Sequence, residues 1–109
     1  MTETNIEAGL CRLSRCVRET RTILAWEDLA RAEARPGTPP SFRAGNHTDE
    51  DLRFQRGLFS KVSAEVHTAL RKSQKAGVSE KTLSFWKVRL LRIDLEFATL
   101  GLTDRFIRP

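Results

Sequence analysis

Cysteine is scarce in this chain of 109 residues, and proline is scarce outside one short stretch. Only Cys11 and Cys16 occur, and on a single helix their spacing sets them about 140° apart around the axis and one to two turns apart along it, which rules out a mutual disulfide. With His47 and His67 they match no recognised zinc-ligand spacing, so two free thiols are expected, and neither a metal nor another cofactor. No run of about 18 apolar residues is present to span a bilayer. The first thirty residues lack the continuous apolar core and small-residue cleavage site of a secretory signal. A soluble, cytoplasmic protein with no membrane partner is therefore expected. Missing as well are a Gly-rich phosphate loop, a metal-ligand cluster and a nucleophile motif, so no catalytic residues are assigned and an enzyme is not expected.

What the chain does contain suits an ordinary globular domain: 39% hydrophobic and 30% charged residues, at a length that supports one core and not two. The formal net charge of +5 raises the question of nucleic acid. The excess is spread out, however. Residues 1–35 hold six basic and six acidic side chains, while 48–76 and 77–109 each hold six basic and four acidic. A nucleic-acid binder gains affinity by neutralising many phosphates together, so its charge is usually concentrated on one face. Direct nucleic-acid binding is thus not expected.

The apolar pattern is helical throughout. A first helix is expected over about 4–34, opening at Thr4 with Glu7 at capping-box spacing. Ile6, Leu10, Leu13, Val17 and Leu24 project into an arc of about 60°, whereas Ile23, Trp26 and Leu29 leave that seam. Residues 36–47, PGTPPSFRAGNH, hold three of the four prolines and read as a linker, with Phe42 as the residue to pin it down. A second helix is expected over about 48–76. It opens at Thr48 with Asp49, Glu50 and Asp51 favoured by the helix dipole, and stops at Gly77. Its apolar face is Leu52, Leu58, Phe59, Val62, Val66, Ala69 and Leu70.

A third helix, about 79–101, starts at a Ser79 cap with Val78 and Leu83 at staple spacing. It carries two apolar stripes. Leu83, Trp86, Leu90, Ile93, Phe97 and Leu100 form one; Val88, Leu91, Leu95, Ala98 and Leu102 form the other, with Lys87 and Asp94 between them. Together they cover well over half the circumference, more than a peripheral bundle helix needs. The tail from Gly101, with Phe106 and Ile107, is expected to close over the end of the bundle.

The fold expected is all-α: one domain, 1–109, built as a three-helix antiparallel bundle of elongated helices. A first helix of about 30 residues is about 45 Å long, longer than the roughly 34 Å diameter of a compact globule of this size. Such overhang leaves seams for a second copy to cover, so a homodimer is expected through the second stripe, Val88, Leu91, Leu95, Ala98 and Leu102. Trp26 lies nearly opposite the first-helix seam, and tryptophan is enriched at binding hot spots. Ile23, Trp26, Leu29 and Ala30 are therefore the candidate surface for another protein. Arg12, Arg15, Arg18 and Arg21 form a basic spiral. Glu19 interrupts it, and a solvated face with local ion pairs is the expected reading.

The opening MTETNIEAGLCRLSRCVRET and the C-terminal SFWKVRLLRIDLEFATLGL, taken with the length and helical order, resemble the QslA-like small helical quorum-sensing anti-activators. That resemblance implies a homodimer that binds the ligand-binding domain of a LuxR-type transcriptional regulator, occupies its dimerisation surface and keeps it off promoter DNA. The alternatives are a small basic DNA-binding protein, motivated by a pI near 9.9, and a helical inhibitor of another protein machine such as a phage-encoded anti-defence protein.

Overall fold

The computed structural model describes residues 2–33 and 45–107, with side chains placed over 5–32, 48–102, 105 and 106. Three long helices, α1 (Thr2–Glu33), α2 (Gly45–Lys75) and α3 (Glu80–Ala98), are followed by a short α4 (Leu102–Ile107). No strand occurs among the described residues. The first part of the linker, with Phe42, lies outside them.

Two helix starts differ from the sequence reading. Helix α1 begins at Thr2, two residues ahead of the expected Thr4 cap. Helix α2 begins at Gly45, three residues ahead of Thr48, so Asp49 to Asp51 belong to the second turn and the first turn holds no acid. No proline lies between Pro40 and Pro109, so no residue removes a backbone donor or blocks helical geometry at 45–47. Thr48 is buried on α2 instead of standing before it.

The other punctuation works as chemistry requires. At the end of α2, Gly77 takes φ 85°, a conformation that a side chain disfavours. Its N–H donates to Gln74 O at 3.2 Å, and Val78 N–H donates to Ser73 O at 3.1 Å, the paired bonds of a Schellman stop. Val78 then packs against the core from just beyond that stop. Ser79 caps α3, its Oγ accepting from Thr82 N–H at 3.3 Å. Gly101, at φ 75°, turns the chain from α3 into α4.

Tertiary pairs fix the topology. Gly9 faces Val66 and Cys16 meets Gln55, so α2 runs antiparallel to α1. The rings of Phe59 and Phe97 stack 3.9 Å apart at 3°, and His67 Nε2 lies 3.6 Å from Asp94 Oδ2, so α3 runs antiparallel to α2. The arrangement is up-down-up. Because α3 is much shorter, it covers only the C-terminal half of α2 and the N-terminal half of α1.

One end of the molecule is consequently a three-helix bundle. Its core joins Ile6, Leu10, Leu13 and Val17 of α1 to Phe59, Val62, Val66 and Leu70 of α2 and to Leu83, Trp86, Leu90 and Ile93 of α3. Burying side chains of this size contributes about 1.5–3 kcal/mol each before the entropy of ordering them is set against it. The other end is a two-helix arm, α1 beyond Thr20 against the first turns of α2. Leu52 is buried there, outside the main core. Among the described side chains of α1, none after Thr20 is buried. The molecule measures 63 × 24 × 21 Å with a radius of gyration of 17.7 Å, against about 13 Å for a compact chain of this length.

The tail forms α4, which carries on past the end of α3 along the arm: Leu102 is buried, and Arg105 reaches Glu27 of α1 and Asp49 of α2.

Candidate protein interface

Helix α3 has two apolar faces nearly opposite each other, about 160° apart at 100° per residue. Leu83, Trp86, Leu90 and Ile93 face the core and are buried, with Phe97 and Leu100 partly so. On the far side Val88, Leu91 and Leu95 are 58–59% exposed, and Phe85 joins them at 59%. Ala98 is exposed at the end of that face. Three exposed aliphatics and a phenylalanine in three turns of one helix go beyond the isolated surface apolars that soluble domains ordinarily show.

Leu102 does not share this face. It belongs to α4 and is 2% exposed, since Gly101 ends α3 before the helical period reaches it. The α3 surface is therefore Phe85, Val88, Leu91, Leu95 and Ala98. Phe85 was missing from the sequence reading, although its position three residues before Val88 is the signal for it. Arg89 holds its guanidinium 5.8 Å from the Phe85 ring.

A second apolar surface lies on the arm. Trp26 is 64% exposed and Leu29 47%, while Ile23 and Ala30 are half-buried. Ile23 shares a shallow groove with Phe54 of α2, itself 65% exposed, and with Thr22 and Asp51. Phe54 lies outside the apolar face of α2, and that isolation is the sequence signal for its exposure. The two surfaces sit on different parts of the fold: one on α3 over the three-helix core, the other on the two-helix arm.

The arm is fastened by charge. Arg105 donates to both carboxylate oxygens of Glu27, at 2.8 and 2.6 Å, and to Asp49 Oδ1 at 3.1 and 2.5 Å. Hydrogen bonding from Arg105, opposed by burial and aided by the charges of Arg105 and Arg31, holds the Glu27 carboxyl below the usual carboxylate range. The same bonds raise the Arg105 pKa. Arg53 lies over the Phe106 ring at 5.1 Å, a second contact between α4 and α2.

Where bundle and arm meet, the α1–α2 seam turns polar. Cys16 Sγ lies 3.0 Å from Gln55 Oε1, and Gln55 Nε2 donates to Glu19 Oε2 at 3.0 Å. Thr20 Oγ1 returns its hydrogen bond to Cys16 O at 2.7 Å. Burial, as the largest influence, pushes the Cys16 thiol pKa up, so this sulfur is a packed donor with little thiolate character. Cys11 is exposed, and both thiols are free.

The arginine spiral divides between pairs and solvent. Arg12 sits 3.9 Å from Glu65 and Arg21 3.6 Å from Glu96, tying α1 to both other long helices. Arg15 and Arg18 have no ion pair among the described residues and remain exposed. The pairs made by the spiral itself thus run between helices, while the local pair on α1 joins Arg31 to Glu27 at 3.0 Å. Among the described residues no three His, Cys, Asp or Glu side chains cluster so as to hold a metal ion, and no helix is long and apolar enough to cross a membrane. No protein-family model, no curated protein and no solved structure matches the chain.

Proposed function

We propose that this protein is a protein-binding regulator that pairs with a second copy of itself and sequesters another protein, with no chemistry of its own. The observation that carries the reading is the exposure of large apolar side chains as two separate surfaces: Phe85, Val88, Leu91 and Leu95 on α3, and Trp26 with Leu29 on the arm. Exposed apolar area is costly in a soluble domain and marks contact sites. Separate surfaces suit a molecule with two kinds of contact, since self-association through α3 leaves the arm free.

The resemblance to QslA-like anti-activators supplies the partner: the ligand-binding domain of a LuxR-type regulator, blocked from dimerising and so from binding DNA. Such a domain uses an apolar dimer interface, and an inhibitor competes best with a few large anchors. Trp26 and Leu29 are those anchors, with Ile23 and Ala30 beside them. The ion pairing of Arg12 and Arg21 weakens the rival reading, in which the spiral tracks a phosphate backbone.

The test is affinity capture from lysate of the producing cell with and without nuclease, followed by calorimetry with the captured regulator's purified ligand-binding domain. A regulator that is retained after nuclease treatment and binds directly is the expected result. Trp26→Ala should weaken that binding by roughly 30-fold or more, the effect of removing a hot-spot tryptophan. Recovery only of nuclease-sensitive material would overturn the reading.

A further inference from the structure

Resting on the dimer reading above, we infer that the second copy seats antiparallel on α3, its register set by a pair of reciprocal Lys87–Asp94 contacts. The exposed face has a seven-residue order: Val88 and Leu95 fall at one inward position, Leu91 and Ala98 at the next. Lys87 and Asp94 then both lie on one flank of the strip, and Phe85, Arg92 and Thr99 on the other. In two helices paired along such a strip, the flanking residues decide orientation, because unlike charges across the seam attract and like charges repel.

The two orientations give opposite results with these residues. A parallel pair brings one flank of each helix against the opposite flank of its mate, which sets Lys87 against Arg92 of the second copy, twice by symmetry. An antiparallel pair brings each flank against its own copy. Lys87 then faces Asp94 of the second copy, again twice, and on the other side Phe85 faces Arg92 of the second copy, a cation–π arrangement. The apolar layers fit that register too: Val88 meets Leu91 of the second copy, and Leu95 meets the small Ser84.

Every group this requires is at the surface. Lys87 is exposed, and Asp94, whose side chain is 34% exposed, has His67 at 3.6 Å as its ion-pair partner among the described residues. Open grooves border the strip, one between Arg92, Leu95 and Thr99, the other between His67, Arg71 and Lys87. They give the flanking side chains of a second copy somewhere to lie. The strip itself is about 20 Å long and one helix wide, short of the roughly 800 Å² per partner of a standard interface, which places the pairing among weak, reversible contacts.

Sedimentation equilibrium of the full chain over micromolar to millimolar concentration, with Lys87→Glu and Lys87→Glu/Asp94→Lys beside it, tests the orientation. The antiparallel arrangement predicts that Lys87→Glu raises the dimer dissociation constant about tenfold and that the double swap restores most of it. Circular dichroism should be unchanged, since Lys87 is exposed on the surface of α3. Tighter association of Lys87→Glu would show the parallel arrangement, overturning this inference while leaving the dimer reading intact. An unchanged constant would place the dimer seam on another face and overturn it as well. A mass of 12.4 kDa at every concentration would remove the dimer itself.

Discussion

Arg105 and Glu27, separated by 78 residues in the chain, meet through two parallel hydrogen bonds of 2.8 and 2.6 Å. The Glu27 side chain is 12% exposed there and that of Arg105 30%. This forked pair and the bond to Asp49 tie α4 to both helices of the arm, beside the buried Leu102. Charge-assisted forked pairs are the stronger class of hydrogen bond, though partial exposure and salt reduce what they contribute.

Arg105→Ala is therefore expected to destabilise the protein by about 1–2 kcal/mol. Urea denaturation reads the total, and amide hydrogen exchange should show faster opening in the arm than in the three-helix core. An unaltered urea midpoint would mean that α4 does not fasten the arm.

Acid should loosen the same clasp. The Glu27 carboxyl is held below its ordinary value in the folded protein, first by hydrogen bonding from Arg105, whereas in the unfolded chain it titrates near about 4.3. Between those two values the unfolded state binds more protons, so stability rises with pH. The contribution is complete above about pH 5 and is lost as pH falls through the folded value. The stability difference between the native protein and Glu27→Gln should be constant from about pH 5 to 7 and shrink steadily in more acid solution. A difference that stayed flat to the acid end would contradict the assignment.

Two glycines in helix interiors should respond oppositely to alanine. A Cβ on Gly57 meets nothing within 4 Å, so Gly57→Ala should stabilise by about 0.5–1 kcal/mol through helix propensity alone. On Gly9 the added carbon would lie 2.5 Å from Val66 Cγ2. Valine in a helix has one strongly preferred rotamer and cannot swing aside, so an overpacking cost of about 1–3 kcal/mol outweighs the propensity gain. Thermal melts should show Gly9→Ala less stable by about 1 kcal/mol, with Val66→Ala partly compensating in the double variant.

The two thiols should differ sharply toward an aromatic disulfide reagent. Cys11 is exposed and should react at once, whereas Cys16, 2% exposed and raised in pKa by burial, should react only as the fold opens. Denaturant should make both equally fast. Because Cys16 holds its proton more tightly when folded, its contribution to stability is present below about pH 8.5 and declines as pH rises toward the folded value. Rapid native modification of two thiols would show the α1–α2 seam to be open.

Much of this architecture follows from residues near one another in the chain. The period of Ile6, Leu10, Leu13 and Val17 determines that α1 is a helix and which side it buries. Gly77, Val78 and Ser79 end one helix and start the next through bonds spanning only a few residues, and the two stripes of α3 are both a matter of helical period. The excess length of α1 over a compact domain is likewise a count of residues. Such features are local, and the backbone chemistry that produces them acts over a turn or two.

Tertiary structure decided which stripe is inside, and where the tail goes. Val88, Leu91 and Leu95 are as apolar as Leu83, Leu90 and Ile93, so composition does not choose between the faces; the choice follows from where α1 and α2 provide matching surface. Leu102 left the outer stripe because Gly101 turned the chain. Arg105 found Glu27 and Asp49 only because two helices, far apart in sequence, run side by side. The outer face of α3 is apolar by sequence and exposed by tertiary packing, because α1 and α2 together cover one side of a helix that has two.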